Sequence, residues 1–415
     1  MSRSIARIVI VASATALVVA GVSACSRGGG TAGSAEPAAP GVTDESVTIG
    51  ITTPLSGALA GPGSCTLAGL EAYFGAANAA GGIEFGDALT RTVEIKSYDD
   101  AYDPAKSVAN FQQMQSDVFA AVGGLGTGTN LAIMPNATAD EMPQVFVQSG
   151  SSEFSRDREA NPYTIGWAPT YFSEGEAFGN FLAERDEALT VAILAQNDDF
   201  GADFVEGLTA GIEGSEVEIV AEASYEPTDT SVDTQVTELA GSDADVFFDA
   251  TTLTPLAIGS LLKAQSLGWL PEVFLPSTTS APGLILEPGG AAAYPQIYTT
   301  AFAKSPLDPA YAEDEQVTAF VEELGEYASG NIATIVPQCV WAYGIGATLA
   351  AAFERMETPT RAGLMEAIGE VRDVEIPLLL PGIEVDATID GVPPVTSTQV
   401  QVFDGTVYVP AKSDD

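Results

Sequence analysis

The sequence predicts an α/β fold of two lobes, each a doubly wound parallel sheet. Three observations predict it. The chain has 415 residues, a length that suits two or three domains. From Val47 onward, β-rich runs alternate with helical runs four times, and right-handed crossovers between such runs build parallel sheets. After Pro162 the alternation restarts and continues long enough for a second lobe. No short-period repeat occurs, which argues against solenoids and propellers.

The elements follow in order. Residues 47–52 are a β-rich run, and 66–78 read as a helix with Leu67, Leu70, Phe74 and Ala77 on one face. A strand over 93–97 precedes a helix over 104–116 that carries Pro104 in its first turn. An apolar run at 119–123 leads into Gly126-Thr127-Gly128-Thr129-Asn130, which opens a helix to Met134; a short strand at 144–147 follows. The second series alternates helices over 172–185, 203–212, 232–240 and 258–266 with strands over 190–194, 217–221, 246–248 and 273–275. Late helices are expected over 337–354 and 360–371, and a hairpin at 399–402 and 406–409 around Asp404-Gly405.

Hydrophobic residues make up 46% of the chain and charged residues 17%, the balance of a folded globular protein. Lys and Arg number 15 against 57 Asp and Glu, with no His, for a formal charge of −42. Nucleic-acid backbones are excluded as partners, because phosphate binding needs a basic footprint. The absence of His removes His-based triads, His zinc sites and His proton shuttles. Three Cys are too few for a Cys-only zinc site. No Gly-x-Ser-x-Gly elbow occurs and nothing marks a catalytic carboxylate pair. The chain therefore reads as a non-enzyme with no cofactor or metal.

At the N-terminus, Arg3 and Arg7 precede a 13-residue apolar stretch over 8–20, shorter than the ~20 residues a spanning helix needs. It ends in Val22-Ser23-Ala24-Cys25, which resembles a bacterial lipobox. The resemblance makes 1–24 a signal peptide and Cys25 the lipidated first residue of the mature chain. A plain secretory signal is the alternative. The Gly-, Ala-, Ser- and Pro-rich stretch to residue 46 reads as a flexible tether. Acyl chains on Cys25 would hold the protein on the outer face of the cytoplasmic membrane at about 0.8 kcal/mol per buried CH₂. Cleavage removes two Arg and no acid, taking the charge from −42 to −44; such a surface favours solubility and says nothing about a ligand. Cys65 and Cys339 then meet an oxidising exterior, where an even pair reads either as a disulfide or as two buried thiols.

Several motifs in order carry a family resemblance. They are Val47-Thr48-Ile49-Gly50 to Pro54-Leu55-Ser56-Gly57, Gly69, Asn78-Ala79-Ala80-Gly81-Gly82-Ile83, Tyr98-Asp99-Asp100 with Asp103-Pro104, Val122-Gly123, Asp199-Phe200-Gly201, Gly268, and Tyr343 within Trp341-Ala342-Tyr343-Gly344. Together, over nearly all of 47–409, they resemble type I periplasmic binding proteins, in the branch that captures leucine, isoleucine and valine for ABC importers. The resemblance implies two αβ lobes joined by three hinge crossings near Ala168, Ala303 and Pro377, with ligand held between them. Lobe one would then be 47–168 plus 305–376, and lobe two 169–304 plus 377–410. The implied partners are a small-molecule ligand and the permease and ATPase of an ABC transporter. A sensor of the same fold, signalling to a membrane partner, is the alternative purpose.

Open parallel sheets collect ligands outside the carboxyl ends of their strands. The turn at 125–130 offers free backbone N–H groups and a helix N-terminus, both suited to an anion such as a carboxylate. By itself it reads as a helix start with glycines for a tight turn; the resemblance makes Thr127, Gly128 and Thr129 the carboxylate grip. It likewise makes Ser149 and Ser151 a second ligand loop, Phe200 an aromatic packed on ligand, and Thr251, Thr252, Ser277 and Gln338 further contacts. One departure stands out. Amino-acid binders of this branch carry an acid after the strand at 273–275, where this chain has Pro276-Ser277-Thr278-Thr279. A buried ammonium without a countercharge costs several kcal/mol. Either another acid substitutes, with Asp249 near in sequence, or the ligand is an amide, a urea-like compound or a carboxylate. Pro62 and Gln338 also replace frequent aromatics, which again points away from leucine. The resemblance places Cys65 and Cys339 at neighbouring helix starts in lobe one, where a bridge is geometrically reasonable.

Overall fold

The computed structural model describes residues 39–330, 332 and 334–412. The expected signal peptide, Cys25 and most of the expected tether lie outside the described residues. Lobe one begins with β1 (Ser46–Thr53), α1 (Ala60–Ala79), β2 (Ile83–Glu84), β3 (Thr90–Asp99), α2 (Pro104–Met114), β4 (Ala121–Val122), α3 (Thr127–Ala139), β5 (Gln144–Val147), α4 (Glu153–Arg156) and β6 (Thr164–Gly166). Its sheet has the order β2-β3-β1-β4-β5-β6, parallel except for the short β2.

The chain then crosses to lobe two through α5 (Tyr171–Glu184), β7 (Thr190–Gln196), α6 (Asp199–Gly211), β8 (Glu218–Tyr225), α7 (Asp233–Ala240), β9 (Val246–Ala250), α8 (Thr254–Ser266), β10 (Glu272–Phe274) and β11 (Ile297–Ala301). It returns with α9 (Glu315–Tyr327), α10 (Pro337–Arg355) and α11 (Arg361–Ile368), and ends in β12 (Gln399–Phe403) and β13 (Tyr408–Pro410). The second sheet runs β13-β12-β11-β10-β9-β7-β8, with only the terminal hairpin antiparallel. Both sheets have helices on two faces, so strands such as β5 and β9 are buried along their whole length.

Side chains explain the boundaries. Asp103, Thr170, Asp198 and Asp314 cap α2, α5, α6 and α9 by accepting first-turn N–H groups. The Asp198 cap starts α6 four residues before the start expected at 203, which puts Phe200 inside the helix. The helix expected to end at Met134 continues past Pro135 to Ala139. Pro135 faces solvent while Ile133 and Ala137 pack inward, so packing outweighs the hydrogen bond that proline removes. Helix α1 starts at Ala60, through a Gly-Pro-Gly run that reads locally as a loop. A Cβ at Gly63 would stand 1.9 Å from the carbonyl oxygen of Pro54, so this turn packs on the strand end only because it is glycine.

Two stretches lie differently from the expected domain plan. Residues 39–46 are folded against lobe one: Val42 pairs with Val47, and Arg91 Nε donates to the Thr43 carbonyl at 2.7 Å. Between 377 and 395 the chain buries Leu378, Leu380, Ile383, Val385 and Val395 in the apolar cluster of lobe one. Leu379 bridges Ala303, the Val395 N–H donates to the Trp167 carbonyl, and the chain joins the second sheet only at Gln399.

Candidate functional site

The turns after β4, β5, β9 and β10 converge with the N-termini of α3, α5 and α10 on a cleft between the lobes. A cavity of about 530 Å³ there is lined by Thr127, Gln148, Tyr171, Thr252, Thr278 and Gln338, among others. A smaller one of about 240 Å³ shares Gln148, Tyr171 and Thr278, and adds Ser149, Glu174 and Ser277. The lobes touch around these cavities. Leu59 of lobe one is buried within the lobe-two cluster, and Gln338 Nε2 donates to the Thr278 carbonyl at 3.1 Å.

Gly126 sets the geometry of the first wall. Its φ is +116°, and a Cβ there would stand 2.6 Å from the Tyr102 ring and 2.7 Å from Thr129 Oγ1, so only glycine turns the chain into α3 at this point. The first-turn N–H groups of α3 have no intrahelical acceptor and carry the positive end of the helix dipole. Thr127 Oγ1 and Ser149 Oγ lie 2.8 Å apart, both buried. The Tyr171 hydroxyl joins them: burial pushes it up to about 12, opposed by hydrogen bonds to Ser149 and Thr127. Three hydroxyls and a helix N-terminus thus meet at one wall, all able to donate to a carboxylate or amide oxygen.

The sequence-expected residues divide. The structure brings Thr127, Ser149, Thr252, Ser277 and Gln338 to the cleft cavities. Gly128 is half-buried beside Thr127, and a Cβ there would meet nothing within 4 Å. The other four stand behind the walls. Thr129 Oγ1 donates back to the Leu125 carbonyl at 3.2 Å, a helix-start contact. Ser151 and Thr251 are buried and line neither cavity. Phe200 packs edge-on against Tyr171 at 4.7 Å, so it supports the hydroxyl wall from behind and does not face a ligand.

The acid question has a structural answer that spacing did not provide. Asp249 is fully buried, accepts from Ser260 Oγ and lines neither cavity. Glu174, on the buried face of α5, lines the smaller cavity and accepts from the Ser277 N–H at 3.1 Å, from Ser277 Oγ at 2.8 Å and from Thr300 Oγ1. Burial pushes its carboxyl up to about 7, against the pull of those hydrogen bonds. Glu174 lies three residues after Tyr171 and four before Phe178, on the apolar stripe of its helix. An acid on that stripe is the signal that marks it.

Cys65 of α1 and Cys339 of α10 form a disulfide beside Gln338. The two helices pack closely because Gly69 faces the Cys339 carbonyl oxygen, 2.2 Å from where a Cβ would stand. Gln338 also accepts, through its carbonyl, from Gln148 Nε2 at 2.9 Å. The rim of the cleft is therefore tied to the lobe-one core.

A different outcome follows for the two threonines. Thr127→Val should weaken binding of a carboxylate or amide ligand by at least ~2 kcal/mol, because it removes one buried hydroxyl and strands its partner. Thr129→Val should leave affinity within a factor of two. Titration calorimetry on the two variants reads this directly; equal losses would mean that Thr129 also reaches the ligand.

Two sheets with their strand ends facing one enclosed cleft, crossed three times by the chain, define a two-lobed ligand-capture protein. The chain belongs to the periplasmic binding protein family, whose profile matches residues 46–405. A fatty acid ABC transporter substrate-binding protein from Thermomonospora curvata superposes with a TM-score of 0.77 at 20% identity, over 90% of this chain and 94% of that one. A solute-binding protein from R. palustris in complex with benzoate gives 0.70 at 17% identity, over 88% and 95%. A leucine-binding protein from Thermotoga maritima gives 0.69 at 16%, over 88% and 97%. No curated protein sequence matches the chain. At these identities the likeness is one of fold.

Proposed function

We propose that the protein is a lipid-anchored, extracytoplasmic solute-binding protein that closes its lobes on a small carboxylate or amide and delivers it to an ABC importer. The observation that carries this reading is the buried wall of Thr127, Ser149 and Tyr171 hydroxyls at the start of α3, facing the cleft between the lobes. Cys25 carries the lipid in this reading, and the Gly-, Ala- and Ser-rich segment that follows it serves as the tether. Closure bends the crossings beside Ala168 and Ala303 and the one after Val395. Both lobes then present one surface to the permease.

Structural relatives are titled for a fatty acid, benzoate and leucine, so ligand chemistry varies within this fold. An amino acid would have to place its ammonium on Glu174, whose two oxygens already accept three protein donors. A carboxylate or amide makes no such demand. The test is a thermal-shift panel on the ligand-stripped mature chain with aliphatic amino acids, their amides, urea and small carboxylates. Ligand at 100 times its dissociation constant adds about 2.7 kcal/mol and should raise the melting point by about 5 °C. A shift with carboxylates or amides is expected. A shift confined to amino acids would restore the branched-chain default, with Glu174 as the ammonium partner.

A further inference from the structure

Beside the smaller cavity lies a chamber open to solvent, of about 820 Å³ counted with the solvent at its mouth, whose walls the head site does not explain. It shares Ser277, Phe302 and Trp341 with the cavity at Glu174, and Ala281 and Val336 with the larger cleft cavity. Its surface comes from both lobes and from the crossing at 301–305. Phe302 and Trp341 stack at 5.0 Å and 26° on the boundary, and Val336, Val340 and Leu380 continue the apolar wall.

The charged groups around it are already partnered, while the buried Tyr408 hydroxyl on its wall makes no hydrogen bond. Lys304 Nζ bonds Asp314 at 2.7 Å and Gln316 at 3.1 Å, and Asp308 caps the turn at Ala310 at 2.8 Å. The Ser277 and Thr300 hydroxyls both donate to Glu174. No second charged head is therefore invited here, and the apolar part of the wall is formed by Phe302, Trp341, Val336, Val340 and Leu380.

We infer that this chamber is a second subsite, which takes the apolar body of the ligand. The solute is thus an amphipathic carboxylate or amide with an alkyl or aryl tail, and not a small polar molecule. This rests on the cleft reading above, since the head must sit at the Thr127–Ser149–Tyr171 wall for a tail to pass Trp341 and Phe302. A tail held there touches both lobes, so each buried methylene also stabilises the closed form. At about 0.8 kcal/mol per CH₂ removed from water, affinity should rise about fourfold per added carbon until the chamber is full.

The experiment is titration calorimetry of the mature chain with straight-chain carboxylates from propanoate to decanoate, the matching primary amides, and 3-phenylpropanoate. The expected result is a stepwise rise with length that then levels off. A second arm uses Val407→Phe, on the terminal hairpin, which lines the chamber away from the head wall and from the crossings. It should weaken octanoate binding at least tenfold while leaving propanoate within twofold. Propanoate binding as tightly as octanoate would overturn the tail subsite and leave the head site standing. No binding by any member would overturn both. If Val407→Phe does not fold, the length series on the unaltered chain decides alone.

Discussion

Replacing both bridged cysteines, as Cys65→Ala with Cys339→Ala, should lower the free energy of unfolding by about 4–5 kcal/mol. The bridge closes a separation of 274 residues, about three quarters of the described chain. Chain-entropy stabilisation grows with the logarithm of loop length, so this bridge sits near the top of the usual range. Alanine is the informative replacement, because both positions are essentially inaccessible to water and a hydroxyl there would lack a partner. Urea unfolding of the oxidised protein and the double variant measures the difference. A midpoint shift worth less than about 1 kcal/mol would show that packing of α1 on α10 holds without the bond. The bridge also bears on function, because Gln338 precedes Cys339 and reaches across to Thr278. Loss of the bridge should therefore loosen the cleft rim before it unfolds lobe one.

Much of the architecture was written locally. The strands at 144–147, 190–194 and 246–248 are short apolar runs bounded by turns, and burial on both faces is what such runs encode. The terminal hairpin was legible from Asp404-Gly405, whose Asp404 carboxylate accepts from the N–H groups of Thr406 and Val407 at 2.8 and 2.9 Å. Helix α9 passed unread although Val317, Phe320 and Leu324 repeat at helical spacing behind an Asp314 cap. There the signal existed. For α1 it did not: Gly61-Pro62-Gly63 lies inside the helix, with Gly63 packed so closely on the Pro54 carbonyl that a Cβ would stand 1.9 Å from it, a contact local propensity does not register.

The site was legible to the same degree. A Gly-rich turn between strand and helix identified the start of α3, since free N–H groups follow from helix geometry alone. Which threonine faces the cleft was not legible. Thr127 and Thr129 are two residues apart, and the helix turns one toward Ser149 and the other back to the Leu125 carbonyl. Glu174 was hidden by the ordinary expectation that acids in so acidic a chain are at the surface. Its burial follows from the apolar stripe it shares with Tyr171 and Phe178. Phe200 was not decided by the sequence, since an aromatic near a cleft can face it or, as its edge-on packing on Tyr171 has it, brace the residue that does.

That hidden acid leads to a pH dependence opposite to the common one. Burial pushes Glu174 up to about 7 from its ordinary 4.5, and Asp249 up to about 7 from 3.8; both are fully buried. Between the unfolded and folded values the native state holds more protons than the unfolded chain, so stability falls as pH rises. Each group's contribution is fully present below about pH 4 and is lost as pH climbs through about 7. At 1.36 kcal/mol per unit, the two shifts correspond to roughly 3 and 4 kcal/mol. Asp100, raised to about 6 mainly by burial, adds in the same direction. Carboxyls held low by hydrogen bonds, such as Asp87 beside Arg91 and Asp245 beside Thr190, lose their contribution only below about pH 4, outside this window. The ligand-free protein should therefore melt several degrees higher at pH 5 than at pH 7.5. Glu174→Gln should flatten the slope by roughly half, and Asp249→Asn by a similar share, in scanning calorimetry across that range. A melting point that rises from pH 5 to 7.5 would mean that both carboxyls ionise in the folded state with cations or water the cleft supplies. Glu174 would then be available to an ammonium after all.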